Sequence, residues 1–466
     1  ELLFAHGARR LGDQGQPEQR QQVVIGPPER VAAEHHEPES VADPAARGRG
    51  GDRARGERPR EGRGREQVQR EPLIRDQDLK GGALYWDAQC DDARLTLANV
   101  RSAHQHGAWC ASYVRVAALE KAGGRVRGAE LVDAVTGARF MVRAHVVVNA
   151  TGPWSDRVRR LDDPAATPLL RPTKGAHIAV PRQRVGNAGA VTLTSPIDGR
   201  VMFVLPWGET TIVGTTDTDY DGSPDDVRAD ADDIIYLLRS ANAVFPNARL
   251  QRGDVIAAWA GLRPLLGNGP ANASAVSREH RIVESGSGLI TIAGGKLTTY
   301  RSMAAELVTL VARKLRKLDG RRLPARAATD TEPLPGGDVA DLDALARELE
   351  KEGVRSAAAD HLVHTYGGEA TAVANLATDD PALAEPLIAG GPWLRAEVVH
   401  HARREMALTV GDVLVRRLHL FHAHPSGGVA AAHAVAGLLG RELGWDEVAA
   451  ARAAEAYVAE VTQAVP

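Results

Sequence analysis

Apolar residues fall into regular clusters only from about residue 71 onward, where Glu71-Pro72-Leu73-Ile74 opens the ordered pattern. The Gly81-Gly82 pair predicts a turn and Ala83–Asp87 a short strand. Asp91-Asp92 caps a predicted helix with apolar positions Leu95, Leu97, Ala98 and Val100, ended by His104, His106 and Gly107. Cys110–Leu119 predicts a strand, and an antiparallel hairpin follows, with arms Val126–Val132 and Arg139–Val148 around a Thr136-Gly137 turn. Val146, Val147 and Val148 suit a strand end buried on both faces. His177–Pro181, Val201–Trp207 and Thr211–Tyr220 predict the strands of a second sheet. Asp232–Val244 predicts an amphipathic helix with Ile234, Ile235, Leu237 and Leu238 on its apolar side, and Ala258–Gly267 a strand and turn. Leu289–Arg301 repeats the strand, glycine turn and helix entry of Ala144–Val158. Later apolar periodicity predicts helices over 340–352, 398–420, 429–439 and 447–461. The expected division is a segment 1–70, an α/β region 71–330 and an all-α region 331–466.

Residues 1–70 follow no such pattern. Arg, Gly, Glu, Gln and Pro dominate, Phe4 is the only aromatic residue before Tyr85, and the first lysine is Lys80. Such a segment buries too little surface to offset chain entropy, so it is expected to be disordered. The same lysine-free composition arises when a GC-rich gene is translated in a wrong frame, so a non-native segment is the other expectation. Gly48, Gly50 and Gly51 follow no apolar strand and predict no phosphate loop.

Composition narrows the function classes. The 466 residues are 43% hydrophobic, enough for two or three domains. A formal charge of -3 gives no global attraction to nucleic acid. Two cysteines, Cys90 and Cys110, are too few for a disulfide framework and fit a reducing compartment. No apolar run nears the roughly 20 residues of a membrane span, and no signal-peptide pattern opens the chain. A cytoplasmic protein is expected, with room for peripheral contact at the inner face of the plasma membrane.

The candidate chemistry lies at turns. Gly152 lets backbone approach a ligand, and Pro153 starts a helix whose free N–H groups suit an anion such as pyrophosphate. An ordinary strand-to-helix turn accounts for the same residues. Arg263 lies beside Pro264, and Arg278 and Arg281 follow; a surface salt bridge is the plain role for any one of them. His177 is a candidate general base or orienting residue, and equally a packed, hydrogen-bonded histidine. Thr215, Thr216 and Asp217 either line a pocket or make a turn. The spacing of His400, His401, His419, His422 and His424 compels no metal site. Glu405, Arg416 and Arg417 are expected to be solvated or paired between domains.

From Glu71 to the C-terminus the chain resembles the FAD-dependent, quinone-linked glycerol-3-phosphate dehydrogenase family, within the wider group of D-amino-acid and glycine oxidases. The resemblance rests on LKGGALYWDAQCDDARLTLA, NATGPW, KGAHIAVPR, PWGETTIVGTTDTDY, AGLRPL, SREHRI and GGKLTTYR in that order, and on a helical end containing EVVHHARREMALTVGDVLVRRLHL. It implies a Rossmann-like FAD-binding α/β domain with an antiparallel β substrate domain, of the D-amino-acid-oxidase type, plus a C-terminal all-α domain. It further implies oxidation of sn-glycerol 3-phosphate to dihydroxyacetone phosphate, with electrons passed to quinone. Lys296 matches a lysine close to both flavin and substrate and joins His177, the candidate base or orienting residue, as a catalytic candidate, and Arg263 and Arg278 match the phosphate-binding arginines. Val116, Ala150, Thr151, Gly152, Trp154, Gly294, Gly295, Lys296, Leu297 and Thr298 become the implied FAD contacts. An oligomer is compatible with the resemblance. The family's opening strand and GxGxxG turn are not visible in the sequence, so the FAD domain is expected to be incomplete and its activity impaired. The alternatives are a non-catalytic remnant of such an enzyme, or a related flavin oxidase acting on amines.

Overall fold

A computed structural model describes residues 4–5, 19–25, 60–63, 71, 73–75, 81–267, 279–320, 322 and 327–464. The expectation for segment 1–70 falls outside these residues, apart from the backbone of three short strands.

The long strand Leu170–Pro181 organises the largest sheet. It pairs antiparallel with Thr210–Gly214 on one side and with Ala257–Leu266 on the other. Val201–Trp207 and Ala190–Thr194 continue the sheet beyond Thr210–Gly214. Side chains alternate between the two faces of a strand, and here both faces are covered. Ala176, Ile178 and Val180 join a core with Met202, Val204 and Val213. The helix Ala231–Val244 closes that core with Ile234, Leu237, Leu238 and Ala241. A reciprocal cap starts this helix: the Asp230 carboxylate accepts from Asp233 N at 2.9 Å, and the Asp233 carboxylate accepts from Asp230 N at 3.0 Å. Ile235 does not face the core as expected and is 42% exposed. One residue advances a helix by about 100°, which takes it off the stripe that 234, 237, 238 and 241 define.

Two smaller sheets lie apart from the large one. Val114–Ala122, Arg125–Asp133 and Arg139–Arg143 form an antiparallel meander. The first strand starts later than the expected Cys110, because Tyr113 has φ 58° and interrupts extended backbone. The expected arm Arg139–Val148 is divided. It leaves the meander after Arg143, and Val148–Asn149 joins another sheet, parallel to Ile290–Gly294, which pairs antiparallel with His280–Glu284. Val148 is 38% exposed rather than buried on both faces, since among the described strands it lies at the edge of that sheet. Gly81-Gly82 is no turn: it begins the strand Gly81–Gln89, laddered to Gln19–Ile25. Thr211–Tyr220 likewise divides into Thr210–Gly214 and Thr218–Asp219.

The helix Asp92–Gln105 forms as expected, with the Asp91 carboxylate accepting from Arg94 N at 2.9 Å. The C-terminal region contains the helices Leu342–Lys351, Ser356–Tyr366, Ala370–Asp379, Arg395–Arg404, Ala432–Leu443 and Glu447–Ala464. The expected helix 398–420 is broken into Arg395–Arg404, Val410–Leu414 and Leu420–Ala423. Met406 and His419 adopt φ 54° and 55°, left-handed values that end an α-helix. One hydrophobic cluster runs from Leu362, Val398, Leu414 and Leu439 into Ala179, Ile256 and Ala257 of the large sheet. The helical region is therefore packed on the sheet, covering the face opposite Ile178 and Val180. Among the described residues, no helix is long and apolar enough to cross a membrane.

Candidate functional site

Register places the candidate residues on one face of the large sheet. Arg263 pairs with Thr173, Gly261 with Gly175, and Trp259 with His177. Directly opposed residues of an antiparallel ladder share a face. The two central positions are glycines, so the face forms a trough with Thr173 and Arg263 at one end and His177 and Trp259 at the other. Gly175 is required here: a Cβ on it would collide with the Arg263 guanidinium. Gly214, on the strand across from His177, is required in the same way, since its Cβ would enter the His177 ring.

Arg263 is 8% exposed and its charge is matched locally. Its Nη1 donates to the Asp217 carboxylate at 3.2 Å, and its Nη2 to Thr215 Oγ1 at 3.0 Å and the Thr216 carbonyl at 3.4 Å. Asp217 and Thr215 thus hold the arginine. Thr216 serves the backbone, its hydroxyl accepting from Ala176 N at 2.9 Å. The Thr173 hydroxyl, in the register position opposite Arg263, is buried with no hydrogen-bond partner among the described residues.

His177 is 8% exposed, and its ring stacks on Trp259 with centroids 5.5 Å apart and planes 13° from parallel. Burial, reinforced by the nearby Arg263 charge, pushes its pKa down to about 3. The imidazole is therefore neutral near pH 7.

A second constellation lies at the ends of the parallel strands Val148–Asn149 and Ile290–Gly294. Each strand leads through a glycine turn and a 3-10 turn, Gly152–Trp154 or Leu297–Thr299, into a helix, Ser155–Asp162 or Tyr300–Asp319. Gly152, Gly294 and Gly295 have φ of 52°, 75° and 88°, the left-handed region where glycine is favoured. The buried Asn149 ties the strands together, donating to Thr291 Oγ1 at 3.2 Å and to the Ser155 carbonyl at 3.0 Å, while Thr151 Oγ1 donates to Asn149 Oδ1 at 2.7 Å. Ala150, Lys296 and Thr298 are exposed at the rim. Trp154, 39% exposed, donates from Nε1 to Asp225 at 2.7 Å. Backbone faces bare of side chains and two helix N-termini at one end of a parallel strand pair fit the pyrophosphate and ring edge of a dinucleotide.

The strand Ala257–Leu266 links the two constellations. Leu266 lies 3.2 Å from the position of a Gly294 Cβ, and it follows Arg263 by three residues, about 10 Å of extended chain. Lys296 and Thr298 belong to the loop end and His177 to the trough. Arg278 lies outside the described residues. Val116 is half-buried on the meander strand Val114–Ala122.

Sequence reasoning missed Trp259, Gly175, Gly214 and Asn149. Alternation carried a usable signal for the first two, since 259, 261 and 263 face one way and 173, 175 and 177 meet them only through the ladder register. It also missed how the late histidines are used. His419 Nε2 lies 2.6 Å from Asp91 Oδ2, and His422 meets the Trp259 ring edge-on at 4.7 Å. Glu405, wholly buried, pairs with Arg94 through two bonds of 2.8 and 2.9 Å. Burial opposes its charge, yet His400 at 3.5 Å, His401 at 3.7 Å and above all the doubly bonded Arg94 guanidinium hold the carboxyl well below the usual range. Among the described residues, no group of three or more potential ligands is arranged to hold a metal ion.

Residues 24–301 match the family model "FAD dependent oxidoreductase", and residues 327–450 match "C-terminal domain of alpha-glycerophosphate oxidase". The chain is 38% identical over 389 residues to the mitochondrial glycerol-3-phosphate dehydrogenase of Rattus norvegicus, covering 81% of this chain and 52% of that protein. It is 36% identical over 397 residues to glycerol-3-phosphate dehydrogenase 2 of Mycobacterium tuberculosis, covering 84% of this chain and 66% of that protein. It thus spans about half the length of the mitochondrial relative. The solved structure of glycerol-3-phosphate dehydrogenase from Bacillus halodurans complexed with FAD superposes with a TM-score of 0.79 at 30% identity, covering 96% of this chain and 82% of that one.

Proposed function

This chain belongs to the FAD-dependent glycerol-3-phosphate dehydrogenase family, and we propose that its trough binds sn-glycerol 3-phosphate for oxidation at C2 to dihydroxyacetone phosphate. The observation that carries this reading is the pairing of a buried arginine and a buried neutral histidine in one glycine-floored trough. Arg263 offers forked donors to the phosphate dianion, joined by Arg278, and Thr173 offers a hydroxyl in the register position opposite. Asp217 and Thr215 fix the guanidinium before the substrate arrives, which lowers the cost of ordering it. His177 accepts the proton of the C2 hydroxyl as the C2–H bond breaks.

Val116, Ala150–Trp154 and Gly294–Thr298 would hold FAD, which when bound would supply the hydride acceptor. Lys296, exposed at the rim of that loop, would place a positive charge beside the bound cofactor. The Ser155–Asp162 and Tyr300–Asp319 helices direct their N-terminal N–H groups to the same end. Quinone is the proposed final electron acceptor, reached by peripheral contact with the cytoplasmic face of the membrane.

The purified chain supplemented with FAD is expected to retain a flavin absorbance band and to reduce a dye acceptor when given sn-glycerol 3-phosphate. Retained flavin with reduction by amino acids but not by glycerol 3-phosphate would overturn the substrate. A folded chain that takes up no flavin would support the non-catalytic alternative.

A further inference from the structure

The trough has a second wall, and it comes from the C-terminal helical region. His177 is confined on one side by the Gly214 backbone and on another by the Trp259 ring. Trp259 is itself held edge-on by His422, in the short helix Leu420–Ala423. His422 packs in turn against Phe421 at 4.9 Å and His419 at 6.0 Å. His419 is anchored at 2.6 Å to Asp91, which also caps the helix Asp92–Gln105. A continuous set of contacts thus runs from an N-terminal helix cap, through the C-terminal region, to the candidate base.

We propose that Trp259 and His422 are positioning residues for His177, so that the helical region fixes the orientation of the imidazole in the trough. The proposal rests on the reading of His177 as proton acceptor given above. An imidazole has two chemically distinct nitrogens, and only one orientation directs a given nitrogen at the substrate hydroxyl. Stacking on an indole face restricts the ring tilt, and the T-shaped contact with His422 restricts rotation of the indole. Water is excluded in the same step. The charged and titratable groups around the ring are Arg263 with its partner Asp217 on the sheet side, and His422, His419 and Asp91 on the helical side. Loosening the helical side admits water to a ring that burial keeps neutral.

Two measurements on the full chain test this. In the chain without added cofactor, histidine-selective NMR titration follows the His177 ring. His422→Ala and Trp259→Ala are expected to raise its midpoint by more than about one pH unit, whereas His422→Phe and Trp259→Phe, which keep aromatic packing, leave it near the wild-type value. With FAD and sn-glycerol 3-phosphate, the alanine variants are expected to lose kcat on the order of tenfold with little change in KM, and the phenylalanine variants to recover most of it. Folded alanine variants with an unchanged His177 titration would overturn the proposal, as would a raised KM with unchanged kcat. If the wild-type chain does not oxidise glycerol 3-phosphate at all, the functional reading fails, and the titration alone still upholds or overturns the positioning role.

Discussion

The junction between the helix Asp92–Gln105 and the C-terminal helices is closed, whereas the side formed by the meander and the helix Tyr300–Asp319 is open. At the junction, Glu397, His401 and Glu405 are wholly buried, and the Arg94 guanidinium lies 4.8 Å from the Tyr366 ring centroid while pairing with Glu405. Tyr366 donates to Glu397 at 2.7 Å. On the open side, the helix Tyr300–Asp319 has no buried residue, and Phe140, Met141 and Val142 are 42%, 50% and 46% exposed. Polar groups are thus buried where partners exist for them, and apolar groups are exposed where the chain offers no second layer among the described residues.

The comparison breaks most readily at Glu405. Replacing it with alanine leaves Arg94 and Arg417 buried around an uncompensated charge, and is expected to cost about 3–5 kcal/mol in urea denaturation. A cost below about 1 kcal/mol would show that the junction is wetter than its geometry implies.

Acid sharpens the contrast next. Burial leads the causes that depress His177 and His422 to about 3, and it drives His401 well below its ordinary 6.5. In the unfolded chain these rings bind protons below about pH 6.5, while in the folded chain they do not until much lower. Stability is therefore full above about pH 6.5 and falls as the pH drops below it, by up to roughly 1.4 kcal/mol per pH unit for each ring. Thermal unfolding across pH 7 to about pH 5 checks this, and a flat melting temperature would contradict it.

Gly175→Ala is expected to have a moderate effect. The added methyl displaces Arg263, costing about 1–3 kcal/mol and raising the KM for glycerol 3-phosphate more than it lowers kcat. The smallest effect is expected on the open side. Val308, 55% exposed, should accept lysine with a change within about 0.5 kcal/mol, so a larger loss would show that this helix is covered in solution.

Much of this arrangement was legible in the residues, for identifiable reasons. The cap at Asp91, the helix near 231–244 and the strands around His177 and Arg263 announce themselves through local side-chain chemistry and short periodicities. The two glycine loops were legible because their pattern repeats. The breaks at Met406 and His419 were not, since left-handed backbone at a non-glycine residue is imposed by tertiary packing and leaves no local mark. The division of Arg139–Val148 between two sheets was hidden because alternation looks the same in either sheet. The roles of Trp259 and His422 depend on ladder register and on contact between residues far apart in the chain. Of the two expectations for Glu405, solvated or paired, the wholly buried carboxylate is paired, with Arg94 as the partner that sequence alone could not name.

The central claim, that Arg263 reads a phosphate in the trough, is tested most directly by anaerobic bleaching of the bound flavin by sn-glycerol 3-phosphate and by glycerol, in wild-type chain and in Arg263→Ala. The wild type is expected to favour the phosphorylated substrate in kcat/KM by on the order of a hundredfold or more, and the variant to lose most of that preference. An undiminished preference in a folded, flavin-loaded Arg263→Ala chain would contradict the account.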